Sequence, residues 1–476
     1  MADTITFDSI PSSIRKPGKY IEFNTKLAVR TLPDNGQRCL LIGQRLASGT
    51  VAANVATQVF SDAEAEAYFG AGSMLHRMVR ASIKAYAYMD ITCVALDDAT
   101  AGIAAVGKLD LTGPASGSGV VTLRVGTDFV QVAVTSGDTA AEVAAALAEQ
   151  AAQQTDLPVT LAAPEGQAGA LTITAKHKGA QGNSIRLAAS STAAGIAGTV
   201  TAMANGQIDP DITNLLALVA DAGHTLLITP YNDQVSLVTL RTHLDYVSGP
   251  MEQRGACGVY ALVGTLAQAT TLAGAVNSGR LTGAAIRGVY RLPWEISAGY
   301  GAVIASEEDP AYPLDGLVIT GLDVPAIGDR WIRTEQEVLL KNGVTPLEAA
   351  ADGTSVTIVR AISTYTKDTQ GVQDVSLLDL TTIRTLDYVR KAVRTRWALR
   401  FPRSKLSART PPAVRSETLD VLLKIEELEI IENVLANKDK LIVQFDGQDP
   451  NRLNVRIPVD VVNGLHVLAG VIDLYL

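Results

Sequence analysis

Apolar residues near the start of the chain follow two patterns that alternate along the sequence. The runs RCLLIGQ (38–44) and ITCVALDD (91–98) are almost continuously apolar, which is typical of strands buried on both faces of a sheet. Between them, residues 61–70 and 72–87 have helical patterns, and each begins beside a residue able to cap a helix. Strand, helix, helix and strand in this order predict the beginning of a parallel α/β layer.

The pattern changes at about residue 103. From 108 to 206 the only aromatic residue is Phe129, and Gly, Ala, Thr and Val dominate. Strand-like segments surround one Ala-rich helix at 139–153. These segments are 120–125, 129–134, 158–163 and 170–177. We therefore predict that 103–206 is an inserted β-rich domain, either α+β or a β-sandwich.

The α/β pattern resumes after a turn at 204–211. Helices and short apolar strands alternate again, as helix 211–223, strand 225–230, helix 236–249, strand 258–264, helix 266–279 and a later strand 316–321. This return predicts that 36–102 and 207–335 together form one α/β core domain, which the insert interrupts.

Residues 336–452 are predicted to form an α+β C-terminal domain. The segment begins with a hairpin pattern that has turns at Asn342–Gly343 and Asp352–Gly353. A helix at 380–400 and a second, acidic helix at about 417–437 follow.

Both ends of the chain are predicted to be extended arms, at 1–35 and 453–476. The first carries the alternating stretch KYIEFNTKLAV, and the last is apolar to its end. A strand with unpaired backbone groups needs a partner. The arms could pair with each other in one subunit, or each could complete a sheet in a neighbouring copy. Exchange at both ends would be a heterologous contact, and such contacts make rings or helices when they repeat.

Length and composition narrow the classes of function. A chain of 476 residues predicts about three domains. The net charge of −9 argues against nucleic acid as the main partner. We expect a soluble protein without membrane insertion, since the N-terminus has no signal-peptide pattern and no apolar run reaches 18 residues. Cys39, Cys93 and Cys257 are interpreted as thiols of a reducing compartment, the first two buried in apolar runs.

The stretch FGAGSML (69–75) raises the possibility of a phosphate-binding loop. A dinucleotide loop needs a preceding strand and a third glycine where Leu75 stands. A Walker loop needs a lysine between the glycine and the serine, and none is present. We therefore interpret Gly70 and Gly72 as the end of one helix and Ser73 as the cap of the next.

The sequence predicts no catalytic, cofactor or metal site, and hence no enzyme. It has no Gly-x-Ser-x-Gly elbow, and neither C-x-x-C nor H-x-x-x-H metal spacing. His224 and His243 lie near aspartates, but no serine in a strained turn accompanies them. The histidines are His76, His177, His224, His243 and His466.

The helix at 380–400 separates apolar from basic residues. The apolar face consists of Leu386, Tyr388, Val389, Ala392, Val393, Trp397 and Leu399, although Arg396 and Arg400 interrupt it near its end. The opposite arc carries Arg384, Arg390, Lys391 and Arg394. This arc is either an ordinary solvated surface or the contact surface for an acidic partner.

Seven segments in order closely resemble the tail sheath proteins of Mu-like contractile phages. They are IPSSIRKPGKYIEFNTKLAVR, LLIGQRL, VFSDAEAEAYFGAGSMLHRMVRA, ITCVALDD, NGQIDPDITNLL, KNGVTPLEAADGTSVTIVRAISTYT and IRTLDYVRKAVRTRWALRFPR. The resemblance covers nearly the whole chain and is weakest over 103–206.

The resemblance implies a structural role and a set of partners. Sheath subunits stack as hexameric rings into a helical sleeve around the tail tube, and the sleeve contracts to drive the tube through the host envelope. The implied partners are other copies of this chain, the tail tube protein, and baseplate and tail terminator proteins. The implied location is the virion tail, after synthesis and assembly in the host cytoplasm. The family core is subtilisin-like in fold, here without a catalytic triad.

The resemblance also suggests roles for particular residues. Sheath arms weave strands into the C-terminal domains of neighbours, which here implicates Tyr20, Ile21, Phe23, Val471, Ile472, Leu474 and Tyr475 as inter-subunit strand residues. The basic arc Arg384, Arg390, Lys391 and Arg394 is predicted to face the tube. Two other function classes stay open: an α/β hydrolase-like enzyme with an appended domain, and a surface adhesin suggested by the Gly/Thr-rich insert. The absence of a secretion signal and of a disulfide framework argues against the adhesin.

Overall fold

The computed structural model describes residues 15–19 and 32–475. They fall into two compact units. One contains residues 35–388 together with 461–475, and the other contains residues 389–460 together with 15–19 and 32–34. Every helix in these residues is too short or too polar to span a bilayer.

The first part of the core follows the predicted order of elements. The elements are β1 Arg38–Gln44, β2 Ala56–Gln58, α1 Asp62–Phe69, α2 Met74–Ala85 and β3 Asp90–Leu96. Strands β1 and β3 pair in parallel, and their side chains are buried beyond the first residue of each strand. Burial on both faces explains why these two strands are continuous apolar runs in the sequence.

The insert is β-rich and contains one helix. Its elements are β4 Ala104–Thr112, β5 Gly119–Val125, β6 Asp128–Val134, α3 Ala140–Gln153, β7 Val159–Ala162, β8 Ala170–Lys178, β9 Leu187–Ser191 and β10 Ala197–Ala204. They form an antiparallel sheet of order β10-β4-β8-β7 and a second of order β6-β5-β9. Helix α3 starts with a reciprocal cap, in which the Thr139 and Glu142 side chains bond each other's backbone N–H groups.

After the insert the chain returns to the core sheet. The elements are α4 Thr213–Val219, β11 Leu226–Ile228, α5 Gln234–Val247, β12 Cys257–Val263, α6 Leu266–Val276, β13 Leu281–Ile286, α7 Pro293–Ser306, α8 Arg333–Lys341, β14 Thr345–Ala349 and β15 Val356–Ile358. The sheet order is β15-β14-β13-β12-β11-β1-β3-β2. Strand β1 therefore lies between β11 and β3, and the segments on either side of the insert share one sheet.

Two features differ from the sequence-based expectation. The sequence predicts that the hairpin β14–β15 belongs to a separate domain starting at 336, but β14 pairs in parallel with β13 and extends the core sheet. The segment 316–321 is not a strand, since its backbone makes one isolated bridge, from Val318 to Thr357. Both differences have one cause: the pattern of a strand does not reveal which strand lies beside it.

The unit that contains 389–460 is built from helices and one small sheet. Its elements are the second half of α9 Leu380–Arg400, then α10 Thr410–Glu426, α11 Val434–Asn437, β16 Ile442–Phe445 and β17 Leu453–Arg456. Strands β16 and β17 pair with each other in an antiparallel hairpin. Residues 453–456, expected to belong to the C-terminal arm, therefore find their partner within the same chain.

The described ends of the chain give different information. Residues 461–475 contain no strand, and 467–475 are exposed throughout. Tyr20, Ile21 and Phe23, which the sequence suggests for the N-terminal arm, lie outside the described residues.

Candidate functional site

The Gly70–Ser73 segment is a turn between two helices. Gly70 ends α1 with φ of 90°, and its N–H bonds the carbonyl of Glu66. Ser73 caps α2, since its side chain accepts a hydrogen bond from the N–H of His76. The interpretation of this motif as a helix end followed by a cap is confirmed, and no strand leads into it as a dinucleotide loop requires.

Gly72, in the middle of this turn, lies against the insert. Its φ is +72°, and a Cβ atom placed on it would come within 2.8 Å of the backbone of Asp156 and Leu157. Only glycine fits both the backbone conformation and the space. Gly72 therefore allows the core and the insert to approach closely.

A buried ion network centred on Arg77 joins the same two parts. Arg77 Nε donates to Glu295 Oε1 at 2.6 Å, and Nη1 donates to Asp128 Oδ2 and to the Asp156 carbonyl, both at 2.8 Å. Glu295 also accepts from Arg291 at 3.2 Å. Burial alone would raise the pKa of Glu295, but the positive charges of Arg77 and Arg291 hold it below its ordinary value.

The histidine rings do not form a nucleophile–base pair within the described residues. His76 Nδ1 accepts from the Gly72 N–H at 3.0 Å, and its Nε2 lies 3.1 Å from Asp62. His177 lies between Asp98 and the Met74 N–H. The buried ring of His224 has no hydrogen-bond partner, and burial lowers the pKa of His243 to about 4. In no case does a ring contact a serine hydroxyl in the part of the chain described.

A groove beside helix α1 has no nucleophile–base pair among the described residues that line it. It is an open groove of about 740 Å³ between α1 and the α3–β7 region of the insert. Its walls include five alanines, and Glu66 and Lys176 are the charged residues among those that line it. Lys176 Nζ already donates to the carbonyl of Thr155 at 2.6 Å.

The cysteines and carboxylates of the described residues show no metal-binding arrangement. Cys39, Cys93 and Cys257 are buried free thiols, as predicted for the first two. Burial raises the pKa of the Cys39 thiol to about 12 and that of Cys257 to about 11, so neither is a reactive thiolate. No group of His, Cys, Asp and Glu that could hold an ion occurs among residues 15–19 and 32–475.

Helix α9 divides the predicted basic arc into buried and exposed parts. Arg384 is only 8% exposed and donates to the Glu307 carbonyl at 2.5 Å. Lys391 and Arg394 are exposed, and Arg390 is half-buried. The prediction that Arg384 belongs to an exposed surface is therefore wrong. The wheel placed it opposite the apolar face, but the first turns of α9 are covered on that side too.

Arg396 interrupts the apolar face of the helix at 380–400, and the structure explains this interruption. Its guanidinium is buried, and it donates to Glu417 at 2.7 Å and to Asp420, both on α10. These ion pairs from Arg396 to Glu417 and Asp420 therefore hold α9 against α10.

The exposed positive surface continues beyond the helix. The chain has no acidic residue from 388 to 416. Four exposed basic residues follow the arc, at Arg400, Arg403, Lys405 and Arg409. The helical wheel missed most of them because they lie in the α9–α10 connection, outside any periodic pattern.

The C-terminal segment is the most exposed apolar part of the described chain. Ile472 is 98% exposed. The other large apolar side chains exposed there are Val467, Leu468, Val471, Leu474 and Tyr475. The predicted strand residues 471–475 are therefore available for contact, but they are not in a strand in the single chain.

Comparison with known proteins identifies the family. Residues 205–364 match the phage tail sheath protein central domain, and residues 372–474 match the phage tail sheath C-terminal domain. A Mu-like prophage FluMu tail sheath protein from Haemophilus influenzae is 32% identical over 491 aligned positions, covering 99% of this chain and 100% of that protein. The chain belongs to the phage tail sheath family.

Solved sheath structures share the fold at low sequence identity. The sheath tail protein from Desulfitobacterium hafniense is 14% identical with a TM-score of 0.51, covering 94% of this chain and 97% of that one. A chain of the anti-feeding prophage baseplate is 12% identical with a TM-score of 0.54, covering 97% of this chain and 100% of that one. These structures show a mixed α/β fold of several sheets. The family matches and the full-length relative make the protein a structural subunit of a contractile phage tail sheath.

Proposed function

We propose that this sheath subunit polymerises as stacked hexameric rings around a tail tube and contracts to drive the tube through the host envelope. The observation that carries the proposal is the exposed apolar segment 467–475, which follows a well-packed core sheet. Six exposed large apolar side chains on one short segment indicate a protein partner.

The partner of this segment is a second copy of the chain. The two-stranded sheet β16–β17 is a suitable acceptor, since an isolated hairpin is only marginally stable and gains from further strands. Ile442 and Phe445 on β16 are exposed in the single chain. Addition of Val471, Ile472, Leu474 and Tyr475 to such a sheet would cover apolar side chains on both partners. The N-terminal residues Tyr20, Ile21 and Phe23 are proposed to supply a second strand.

Contraction then needs subunit bodies that move rigidly and exchanged strands that stay paired between neighbouring copies. The Arg77 network and the Gly72 contact fix the insert to the core, which supports movement of the two as one body. We place the insert on the outside of the sleeve. The stored free energy would be the difference between two packings of the same subunits, a few kcal/mol per subunit multiplied over about a hundred subunits, with no nucleotide hydrolysis.

The basic surface is proposed to face the tube. With Arg384 buried, it is formed by Arg390, Lys391 and Arg394 on α9. A positive surface on a chain of net charge −9 suits an acidic partner. Baseplate and tail terminator proteins are the proposed partners at the two ends of the sleeve, with assembly in the host cytoplasm.

The core is further proposed to be a non-catalytic member of the subtilisin-like folds. Its largely parallel sheet with helices between strands supports this relationship. The histidine contacts described above support a purely structural role over the hydrolase alternative.

Deletion of residues 467–476 tests the proposed polymerisation. The deletion spares β17, so each subunit should fold and remain soluble. Electron microscopy of the purified wild-type protein should show hollow cylinders, and the truncated protein should show none. A control variant with Val471, Ile472 and Leu474 each changed to Ser keeps the length and should also fail to polymerise. Normal cylinders from the truncated protein would overturn the proposal.

A further inference from the structure

We propose that His466 is a positioning residue, which anchors the root of the C-terminal segment to its own core and thereby sets how far the rest can reach. This inference rests on the proposed exchange of the segment between copies. It concerns the six residues 461–466, which precede the exposed apolar stretch and are mostly half-buried.

The imidazole of His466 lies between two carboxylates of the core unit. Its Nδ1 contacts Asp315 Oδ2, and its Nε2 lies 3.6 Å from Asp379 Oδ1. These are the side-chain contacts that fix the segment, and they join residues more than eighty positions apart in the sequence. Beyond His466 every described residue is exposed.

Both carboxylates belong to fixed parts of the core. Asp379 accepts two hydrogen bonds from Arg360, both at 2.8 Å, and its backbone bridges to Ile362. Asp315 lies in the loop after α7, one residue after the buried Leu314. A side chain held by these two groups is therefore held by the core sheet and not by another mobile segment.

The backbone beside His466 fits the same surface closely. A Cβ atom on Gly464 would come within 2.8 Å of Pro313 Cγ, so a larger residue there would push the segment off the loop. The His466 N–H also bonds the Gly464 carbonyl at 3.0 Å, which makes a tight turn before the side chain enters its site. Residues 464–466 therefore fit the core surface closely and also bond to it.

The anchor determines the length of the free segment. With His466 bound, ten residues from 467 to 476 are free, and ten extended residues span at most about 33–36 Å. If the anchor were open, sixteen residues from 461 would be free, with a span of about 53–58 Å. We infer that the anchor limits the spacing between neighbouring copies that the exchanged strand can bridge.

Amide hydrogen exchange on the purified, unassembled subunit tests the anchor. His466→Ala and Asp315→Asn should each increase exchange over 461–466 at least tenfold, with no change in the core strands. The double variant should resemble His466→Ala, because Asp315→Asn has no contact left to remove once the imidazole is absent. Leu465→Ala, at an exposed neighbouring position, should behave as wild type. Unchanged exchange in His466→Ala would overturn the anchor.

Electron microscopy of polymers then tests the reach. His466→Ala cylinders should show a wider spread of axial ring spacing than wild-type and Leu465→Ala cylinders. Faster amide hydrogen exchange at 461–466 in His466→Ala, with an unchanged spread of axial ring spacing, would overturn the claim about reach. The anchor itself would still stand. If the protein that lacks residues 467–476 still polymerised, the proposed insertion of this segment into a neighbouring copy would be overturned. That conclusion would hold whatever amide hydrogen exchange shows for His466→Ala.

Discussion

Arg77 on α2 and Glu295 on α7 form a nearly dry ion pair, with 4% and 3% of their side chains exposed and Nε 2.6 Å from Oε1. Helix α2 lies before the insert in the chain and α7 lies after it, and the pair joins residues 218 positions apart. Asp128 of the insert adds its charge to the same guanidinium. One arginine therefore connects both halves of the core and the insert.

Removal of one partner should destabilise the core strongly. We expect Arg77→Met to lower the free energy of unfolding by about 3–5 kcal/mol, because it leaves Glu295 buried with only Arg291 beside it. Arg333→Met, at an exposed position of α8, should change it by less than about 0.5 kcal/mol. Urea unfolding at pH 7 measures both. Equal stability of the two variants would contradict the role of the pair.

The same pair predicts a loss of stability in acid. The pKa of Glu295 is lowered in the folded protein, so its contribution is present above the ordinary carboxyl pKa of 4.5 and is lost as the pH falls through the lower folded value. Glu295→Gln should therefore flatten the fall of stability below pH 4.5. Urea midpoints between pH 3 and 7 measure this, and an unchanged slope would argue against it.

Substitution of Gly72 should separate the turn from the insert. Gly72→Ala combines a left-handed backbone with a contact of 2.8 Å to backbone atoms, which cannot move as a side chain would. We expect a loss of at least about 2 kcal/mol in thermal or urea unfolding. Gly274→Ala is the matched control, since it lies within α6 with nothing within 4 Å of the added Cβ. It should be neutral or stabilising by up to about 1 kcal/mol.

His243 should make the core sensitive to mild acid. Burial lowers its pKa from 6.5 to about 4, so the folded protein binds a proton less readily than the unfolded chain. Stability should therefore fall as the pH drops below 6.5 and continue to fall until about 4. The free energy of unfolding should be lower at pH 5 than at pH 7, and urea unfolding at both pH values measures this difference. His243→Gln should reduce the difference by about 1 kcal/mol, allowing for the partial exposure of the ring. The same difference in both proteins would contradict this assignment.

The sequence was informative where burial leaves a simple pattern. Strands β1, β3 and β12 are continuous apolar runs, and helices α1 and α2 each begin at a capping serine. The sequence pattern does not predict helix α7. All but its last residue are buried, so it has no polar face to give a helical period.

Other features depend on contacts that sequence periodicity does not contain. The sequence predicts the hairpin β14–β15, but it does not predict that β14 pairs with β13. Arg384 was assigned to the exposed arc, although tertiary contacts bury it. His466 was interpreted only as one more histidine, because Asp315 and Asp379 are distant in the chain.

Charge reversal on α9 should separate polymerisation from tube binding. The exposed residues Lys391 and Arg394 belong to the surface proposed to face the tube. Reversal of both to Glu replaces attraction for an acidic partner with repulsion and leaves the C-terminal strand intact. We expect the variant to form cylinders alone but to lose at least tenfold in tube-filled cylinders when mixed with purified tubes.

A matched reversal controls for the change in net charge. Arg333→Glu with Lys341→Glu alters two exposed residues of α8 by the same amount, away from the proposed surface. This control should assemble around tubes as the wild type does, and in the wild type the yield of filled cylinders should fall as salt is added, because exposed charges are screened. Filled cylinders at wild-type yield from the Lys391→Glu, Arg394→Glu protein would contradict a tube-facing role for this surface. Equal losses in both reversed proteins would show that total charge, and not position on α9, governs the encounter with the tube.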